Sequence, residues 1–460
     1  GKRTINDKEH TYIATTTGST LNLKGDIGNA GQDVMLLAGA GITLTNGTIK
    51  GNDLTLASGT GSIGTADQAV QTAITGSLSA NSGESMYISQ TEVAPLTVKT
   101  ATAGQDINLK AKTGIIMPEV KDGKAVGYLT AGDVINLSTE SGNIGDDAEH
   151  SIRILNNSAV VNAAAQNGNV YLTGEKTGDL VLGTITAKEL GVTDDTGTVK
   201  LARAANTTQT ASSANINVAN ATIAAQDIDL TDGRMTATDE TGGLAFKAVN
   251  TITQADTEKS VLGSAGTVTF QTGKAATAGG TIDVESQYNT FANVNLRAAD
   301  ADKGIIGYTK VVSNAANGLT ANFGAGADGS GTLTVAGGGS KKLDVQVWNV
   351  ANGLNKAPLT LSGKLTTKDT GMLFTSGDTL TVDAGTVLNS GKRLWLIGKN
   401  GVTTDGTGKV TLTAATDLVA QSAAGAIDLS NTKAAITAGG TEELTGQSIN
   451  LYNLKANAAK

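Results

Sequence analysis

Short segments of alternating apolar and polar residues recur along the chain, and most begin at Asp, Asn or Thr and end in a Gly-containing turn. A period of two means that one face of each strand is buried. Because no helical pattern separates the copies, the strands are predicted to stack on one another as repeats. The strand cores are DVMLL from Asp33, DLTLA from Asp53, DINLKA from Asp106, DVINLS from Asp133, NVYLTG from Asn169, DLVLG from Asp179, DIDLTDG from Asp227, TIDVES from Thr281, NVNLRA from Asn293, KVTLTA from Lys409, AIDLS from Ala426 and SINLY from Ser448.

Composition distinguishes a folded β array from a disordered glycine-rich chain. The 59 glycines in 460 residues exceed the usual share, but only three prolines and 17% charged residues accompany them, and the mean hydropathy is -0.06. Disordered segments are typically rich in Pro and charged residues, so the glycines are interpreted as turn residues between strands. Aromatic residues make up only 3% of the chain, which predicts a narrow core of small aliphatic side chains.

The first residue of each strand core, which we call the strand opener, recurs at a spacing that predicts a parallel β-solenoid. Asp53 follows Asp33 by 20 residues and Asp133 follows Asp106 by 27. Solenoids tolerate such drift, because insertions at corners leave the inward apolar positions in register. A coil of about 20 residues predicts roughly 23 coils, which at about 4.8 Å per strand would form a single elongated rod on the order of 110 Å long.

No linker interrupts the pattern between Leu21 and Leu454. We therefore predict an N-terminal extension or linking coil over residues 1–20, a continuous solenoid over 21–454, and a C-terminal tail or continuation over 455–460. The start, GKRTINDKEH, lacks an initiating Met and an apolar signal core, as expected of a mature or excised piece of a longer precursor.

The order of residues within one coil predicts their roles. In the segment beginning at Asp53, Leu54 and Leu56 are predicted to point inward, since successive side chains alternate faces. Gly59 and Gly61 would supply the positive φ of a tight corner. Asp53 and its equivalents are expected to accept backbone N–H groups at the preceding corner, as Asx residues do at turns.

Charge and cysteine usage argue against several functions. With 34 basic and 42 acidic residues, the net charge of -8 is scattered, which makes nucleic acid an unexpected partner. Zero Cys excludes disulfides and thiolate metal sites and suits a chain that crosses a periplasm without being locked by oxidation. Only two histidines occur, so a structural zinc is not expected, and no apolar run approaches the roughly 20 residues that span a bilayer.

Two glycine-rich motifs can each be interpreted either as a ligand site or as a turn. GTGSIG at Gly59–Gly64 matches the dinucleotide pattern G-x-G-x-x-G, and the TADQAVQTAI that follows it could be drawn as a helix, but no βαβ alternation surrounds it. GAGADGSG from Gly324 suggests a calcium-binding β-roll, yet Asp328 stands alone where tandem repeats would be needed. Both are interpreted as corners, so we predict no cofactor and no metal.

Acidic pairs raise the question of an enzyme, because polysaccharide lyases and hydrolases use β-helices with clustered carboxylates. Adjacent residues on a strand point to opposite faces, so these pairs more naturally solvate corners. Three or more convergent carboxylates with an Arg or Lys would make a persuasive site, and none can be assembled from the sequence. We therefore predict no catalytic residues. The pairs are Asp146 with Asp147, Asp194 with Asp195, and Asp300 with Asp302.

Trp395 is one of only two tryptophans, and it lies in the alternating run RLWLIG. An outward indole beside Lys392 and Arg393 would make a glycan contact testable.

The coil pattern at Asp53–Gly64, Asp133–Gly145 and Asn293–Gly307 is similar to that of the filamentous haemagglutinin-type adhesins of Gram-negative bacteria. This resemblance of repeat style covers roughly Leu21 to Leu451. It implies a right-handed parallel β-helix shaft, an extracellular location, a role in attachment or biofilm, and export through an outer-membrane transporter by two-partner secretion. The family's secretion domain carries Asn-Pro motifs; no Asn-Pro pair occurs here, so the chain is expected to be shaft.

The function expected from these features is structural and adhesive rather than enzymatic, in a secreted segment at the cell surface. Expected partners are further copies of the chain, end to end or along the rod, and a host-cell or matrix glycan or protein. Two alternatives share the fold: a polysaccharide-degrading enzyme, and a phage tail-spike or S-layer protein.

Overall fold

The chain is a parallel β-solenoid. A computed structural model describes residues 3–6, 9–119, 127–147, 150–157, 159–201, 214–273, 280–299, 305–325, 328–336, 343–351 and 356–451. These residues form strands and turns without any helix, in about 16 turns of parallel stacked coils. The predicted all-β solenoid is confirmed. The chain divides into two compact units, Gly1–Ala225 and Gln226–Lys460.

The strands of the first unit are short, apart from a long β19. They are β1 Arg3–Asn6, β2 His10–Thr17, β3 Leu21–Lys24, β4 Asp33–Gly39, β5 Ile42–Thr45, β6 Ile49–Gly51, β7 Leu54–Ser58, β8 Val70–Ile74, β9 Ser77–Ser82, β10 Met86–Gln90, β11 Leu96–Ala103, β12 Ile107–Ala111, β13 Ile115–Ile116, β14 Leu129–Ala131, β15 Val134–Thr139, β16 Ile152–Leu155, β17 Val160–Ala165, β18 Val170–Glu175 and β19 Asp179–Leu201.

The division between the units falls within β20, Ala214–Asp229. The strands that follow in the second unit are β21 Gly233–Ala237, β22 Gly243–Gln254, β23 Val261–Thr272, β24 Thr281–Val284, β25 Thr290–Ala298, β26 Ile305–Ile306, β27 Thr309–Ser313, β28 Leu319–Gly324, β29 Leu333–Val335, β30 Leu343–Asn349, β31 Leu359–Thr367, β32 Gly371–Ser376, β33 Thr379–Val382, β34 Val387–Ser390, β35 Leu394–Gly398, β36 Gly401–Thr404, β37 Thr411–Ala414, β38 Leu418–Ser422, β39 Ala426–Leu429, β40 Ala435–Ala438, β41 Glu442–Thr445 and β42 Ser448–Leu451.

Inward residues of the first unit stack coil over coil. Val34 pairs with Leu54, Leu54 with Leu78, and Leu78 with Val98, each in a parallel register. All four are buried, whereas Thr55, between the buried Leu54 and Leu56, is partly exposed. The period-two prediction for this segment is therefore confirmed. One antiparallel pairing occurs among the described strands of this unit, between β1 and β2.

Described strands of the second unit form three parallel ladders. Strand β31 contributes to two of them, because it bends at Gly363, whose φ is +90°. A Cβ at that position would lie 2.0 Å from the Phe323 carbonyl oxygen, so only glycine fits the bend. The ladders run β23, β25, β28, β31, β33, β36, β39, β42; then β24, β27, β30, β32, β35, β38, β41; and β26, β29, β31, β34, β37, β40.

Coil length varies more than the opener spacing suggests. The paired residues Val34 and Leu54 are 20 residues apart, Ile107 and Ile135 are 28 apart, and Leu319 and Leu359 are 40 apart. The estimate of roughly 23 coils is therefore too high, because it applies one of the shorter steps to the whole chain.

The glycine motif at Gly59–Gly64 is a corner, as the turn interpretation predicts. Its Ile63 bridges Ile42 in one neighbouring coil and Met86 in the other. The positive φ lies at Gly64, at +69°, and not at Gly59 or Gly61, so the prediction for those two glycines was wrong. The segment drawn as a possible helix is instead a turn, with reciprocal hydrogen bonds between Thr65 and Gln68, followed by strand β8. The motif opens no helix and so cannot cradle a pyrophosphate in the dinucleotide manner.

A buried hydroxyl closes many of the corners, and this device was not predicted from the sequence. A Ser or Thr at the end of a strand points inward and donates to the carbonyl oxygen three residues later, which satisfies a turn acceptor inside the dry core. Examples are Ser82 to Ser85 at 2.9 Å, Thr139 to Gly142 at 2.9 Å, Thr367 to Thr370 at 2.7 Å, Ser376 to Thr379 at 2.9 Å and Ser390 to Arg393 at 2.9 Å.

The two units are filled differently. All five phenylalanines of the chain lie in the second unit and are at most 1% exposed. Phe246 stacks on Phe270 at 5.5 Å between ring centroids, Phe270 meets Phe291 edge-on at 6.3 Å, and Phe323 lies 5.9 Å from Phe374. The predicted core of small aliphatic side chains describes the first unit. In the second unit aliphatic side chains still form most of the core, and five buried phenylalanines are added to them.

Candidate functional site

The opener aspartates connect each coil to the next one. Asp33 Oδ1 accepts the backbone N–H of Asp53 at 3.2 Å, and Asp53 Oδ1 accepts the N–H of Ser77 at 2.6 Å. Asp417 accepts the N–H of Thr441 in the same way at 3.1 Å. The predicted acceptor role is right, but the donors lie in the following coil rather than at the preceding corner, because stacking brings that backbone closest.

A lateral groove of about 610 Å³ lies on the first unit and is the strongest candidate site. One wall is the turn at Ala66–Ala69, and the floor is formed by outward side chains of β8, β10, β12 and β15. Ligand sites are usually clefts of roughly 300–1,000 Å³, so the groove has room for a small ligand. Its central side chains are Gln71, Tyr87, Ser89, Asn108, Lys110, Lys112, Asn136, Ser138 and Glu140.

Two asparagines of the groove floor, Asn108 and Asn136, form a hydrogen-bonded ladder with Asn162 of the next coil. Asn136 donates to Asn108 at 2.8 Å, and Asn162 donates to Asn136 at 2.9 Å. Asn108 donates to the carbonyl oxygen of Met86 at 3.3 Å. Because each amide is held by the next, the orientation of the polar groups is fixed before any ligand arrives. We call Asn108, Asn136 and Asn162 the asparagine ladder.

Charges along the groove are balanced. Lys110 Nζ lies 2.9 Å from Glu140 Oε1, and both side chains are about half exposed. Lys112 and Asp67 also line the groove. Two cations and two carboxylates therefore leave no excess of either sign, so a strongly charged ligand would gain little there.

A second surface lies on the outward side of β30, β32, β35 and β38 in the second unit, and we call it the tryptophan face. Leu373 pairs with Trp395 and Trp395 with Val419, while the partly exposed Trp348 and Ile397 belong to the adjacent row. Trp395 faces outward, which is one of the two orientations that its alternating run left open, and Leu394 and Leu396 are buried on either side of it.

Cations cover both indoles of the tryptophan face. Lys310 Nζ lies 5.2 Å from the centre of the Trp348 ring and 2.6 Å from Glu285 Oε1. The Arg393 guanidinium lies 4.9 Å from the centre of the Trp395 ring and pairs with Asp417. The aromatic planes already have partners, so this face offers less stacking surface than its composition suggests.

Tyr308 has the most strongly perturbed environment near that face. Burial, together with the carboxylates of Asp283, Glu285 and Asp344, raises the pKa of Tyr308 to about 12. This group of three acids with Lys310 is the closest approach to the enzyme-like cluster sought in the sequence. Since Tyr308 stays protonated at neutral pH and Glu285 is paired with Lys310, neither group is free to act as a general base.

The acidic pairs named from the sequence that the structure describes lie at separate places in the first unit. Asp147 accepts the backbone N–H of His150 at 2.8 Å and contacts its ring at 3.0 Å, and with Glu119 it raises the His150 pKa. Asp194 is fully buried, accepts the N–H of Gly197 at 2.8 Å, and has a pKa raised by desolvation. Asp300 and Asp302 lie outside the described residues. Asp146 and Asp147 lie in a turn, as expected. Asp194 and Asp195 instead lie within β19, and Asp194 is buried, so the expectation that this pair solvates a corner was wrong.

The suggested calcium loop is a local turn where the structure describes it. Asp328 accepts the backbone N–H of Ser330 at 2.9 Å, and its pKa is lowered chiefly by its hydrogen bonds with Ser330. Within the described ranges, no group of three His, Asp or Glu side chains could hold a metal ion.

Sequence reasoning missed the groove, although a signal for part of it was present. The strand cores DINLKA, DVINLS and VVNAAA each carry Asn at the same position relative to the inward residues. Alignment of the cores by these inward positions would have revealed the ladder. The wall at Ala66–Ala69 depends on how one corner folds over its neighbours, which local patterns do not encode.

No helix among the described residues is long and apolar enough to cross a membrane. No family model, curated protein or solved structure gave a match to the chain.

Proposed function

We propose that this protein is a structural and adhesive segment of a large, secreted bacterial surface exoprotein of the filamentous haemagglutinin type. The observation that carries the proposal is the continuity of the parallel ladders within each unit, such as the register from Val34 through Leu54 and Leu78 to Val98. A coil that is hydrogen-bonded and packed on both sides resists local opening, as a load-bearing extracellular element requires.

Adhesion needs a binding surface on that scaffold, and the lateral groove supplies a candidate. Its floor is built on strands rather than on a mobile loop, and the asparagine ladder holds its amides in place. Export through an outer-membrane transporter, an extracellular location and self-association belong to the same proposal.

The test of this proposal is attachment together with location. Intact producing cells should be labelled by antibody against the chain, and beads coated with the purified protein should adhere to host cells or matrix more than beads coated with an unrelated protein. Sedimentation and electron microscopy at high concentration should show assemblies. Unlabelled intact cells combined with beads that do not adhere would overturn the proposal.

A polysaccharide-degrading enzyme is the second candidate, favoured by the acids around Tyr308. Incubation with polyuronates and neutral polysaccharides should release unsaturated or reducing ends if this candidate is correct, and the variant Glu285→Gln should abolish that release. Because Glu285 is engaged by Lys310, we expect no release from the wild-type protein.

A further inference from the structure

We propose that the lateral groove of the first unit binds a neutral oligosaccharide that lies across neighbouring coils. This inference rests on the proposed adhesive function and specifies its ligand class and site. Tyr87, Asn108 and Asn136 pair in register on successive strands, so their outward side chains follow one another at about 4.8 Å along the groove floor. A ligand laid across the coils meets the same kind of group at each step.

The asparagine ladder leaves hydrogen-bonding capacity of a particular kind. Asn108 and Asn136 each use one amide hydrogen within the ladder and each accept one hydrogen bond at the carbonyl oxygen. An amide has two N–H donors and two acceptor lone pairs, so each retains at least one donor and one acceptor. A sugar hydroxyl can donate and accept at once, which makes it the complementary group. The hydroxyls of Ser89 and Ser138 extend this mixed character.

Tyr87 supplies the apolar contact that sugar recognition also needs. Its side chain is partly exposed on the groove floor, and no cation covers its ring in the described part of the chain, unlike the rings of Trp348 and Trp395. An aromatic ring with two rotatable bonds offers contact area at a small entropic cost. The neighbouring amides can then fix the orientation of the bound ligand.

Charge decides between neutral and acidic sugars. Lys110 is paired with Glu140 at 2.9 Å, and Lys112 and Asp67 add one charge of each sign to the lining of the groove. A polyuronate or sulfated glycan would face two carboxylates in the same groove. A neutral chain meets no such repulsion, and its hydroxyls can bond to the edges of the Lys110–Glu140 pair.

The experiment is a glycan array with neutral and acidic oligosaccharides, followed by affinity measurements on the best ligand. It compares the whole chain with three variants. Ser89→Trp fills the groove while removing no hydrogen bond of the Ser89 side chain that the structure shows, and Tyr87→Ala removes the aromatic contact. Trp395→Ala is the matched control, because it removes an outward aromatic ring from the tryptophan face. Thermal unfolding of each variant checks that the fold persists.

We expect neutral glycans to bind, Ser89→Trp to abolish binding, Tyr87→Ala to weaken it about tenfold or more, as loss of a central aromatic anchor does, and Trp395→Ala to leave it unchanged. The inference is overturned if only acidic glycans bind, if no glycan binds, or if a folded Ser89→Trp variant binds as well as wild type. Failure of the groove can be distinguished from failure of the adhesive function. If beads carrying the Ser89→Trp variant still adhere to cells, the groove is not the binding site but the proposed function survives.

Discussion

The two units of the chain follow the same coil pattern but differ in the aromatic content of their cores and in the side chains that one outer face presents. The first unit encloses aliphatic side chains and presents a polar asparagine ladder on its groove face. The second encloses stacked phenylalanines and presents Trp348, Leu373 and Trp395 outward. The fold therefore constrains which positions point inward more tightly than it constrains the size of the residue there or the polarity of the opposite face.

The stacking geometry explains this freedom. In a parallel ladder, like residues in successive coils lie directly over one another, so a ring can pack on a ring and an amide can bond to an amide. A Phe in one coil therefore favours a Phe in the next, as with Phe246 and Phe270, and an Asn favours an Asn. Within each unit, the residue type at one position of a coil therefore tends to recur at the paired position of the next coil.

The largest expected effect comes from breaking the phenylalanine stack. Phe270→Ala should cost about 3–5 kcal/mol of local stability, because it removes a fully buried ring that contacts Phe246 and Phe291. Leu137→Ala, the counterpart in the first unit, should cost about 2–5 kcal/mol. Hydrogen exchange read by mass spectrometry would locate each loss in the coils around the substitution.

Thr267→Ala, an outward position on the same strand as Phe270, is the control for the stack. Its exchange pattern should match wild type. Equal losses at Phe270 and Thr267 would show that the stack contributes no more than the strand itself.

The asparagine ladder should have a smaller effect. Asn136→Ala removes the hydrogen bonds to Asn108 and from Asn162, and should cost about 1–3 kcal/mol because the two neighbours lose partners at once. Ser138→Ala, two residues along the same face, should be close to neutral. Denaturant titration with both variants measures the difference, and a neutral Asn136→Ala would mean that water replaces the ladder without loss.

The smallest effects concern two acidic pairs, one that precedes strands of the first unit and one that follows strands of the second. Burial, and then the neighbouring Asp133, raise the pKa of Asp106 above 3.8; burial and Asp405 do the same for Asp383. A raised carboxyl pKa means that the folded state holds its proton more tightly than the unfolded chain does. The ionised group therefore lowers stability at neutral pH, and this cost disappears as pH falls through the raised pKa toward the ordinary value.

Asp106→Asn and Asp383→Asn should accordingly raise the melting temperature at pH 7, with a gain that shrinks as pH falls toward 4. Asp417→Asn is the control of opposite sign, because hydrogen bonds from Thr441 and Arg393 lower the pKa of Asp417. That variant should be destabilised at pH 7. Melting curves between pH 7 and pH 3.5 test all three, and a gain for Asp106→Asn that grows at low pH would contradict the assignment.

Much of the fold could be predicted because the alternation is local. Leu54 and Leu56 are inward and Gly59–Gly64 is a corner, both as the period of two dictates. These inferences need only the nearest residues and the pleat of a strand.

The features that could not be predicted depend on which residues pair between neighbouring coils. The donors to Asp33 and Asp53 lie 20 and 24 residues away along the chain, at Asp53 and Ser77, so the register had to be known first. Prediction of the groove also required knowledge that the turn at Ala66–Ala69 lines the same cleft as the strands that follow it. The inward hydroxyls of Ser82 and Ser376 were missed because polar residues at strand ends are ordinarily assigned to the surface.

The unequal coil lengths have a consequence for how such a chain diversifies. The pairing of Leu319 with Leu359 across 40 residues is in register with the pairing of Leu359 with Leu380 across 21, so added sequence at a corner need not disturb the seam beneath it. Insertions and exchanges can therefore accumulate at the corners of the coils while the buried positions are unchanged. A foreign peptide grafted at such an edge would be displayed on an unaltered scaffold.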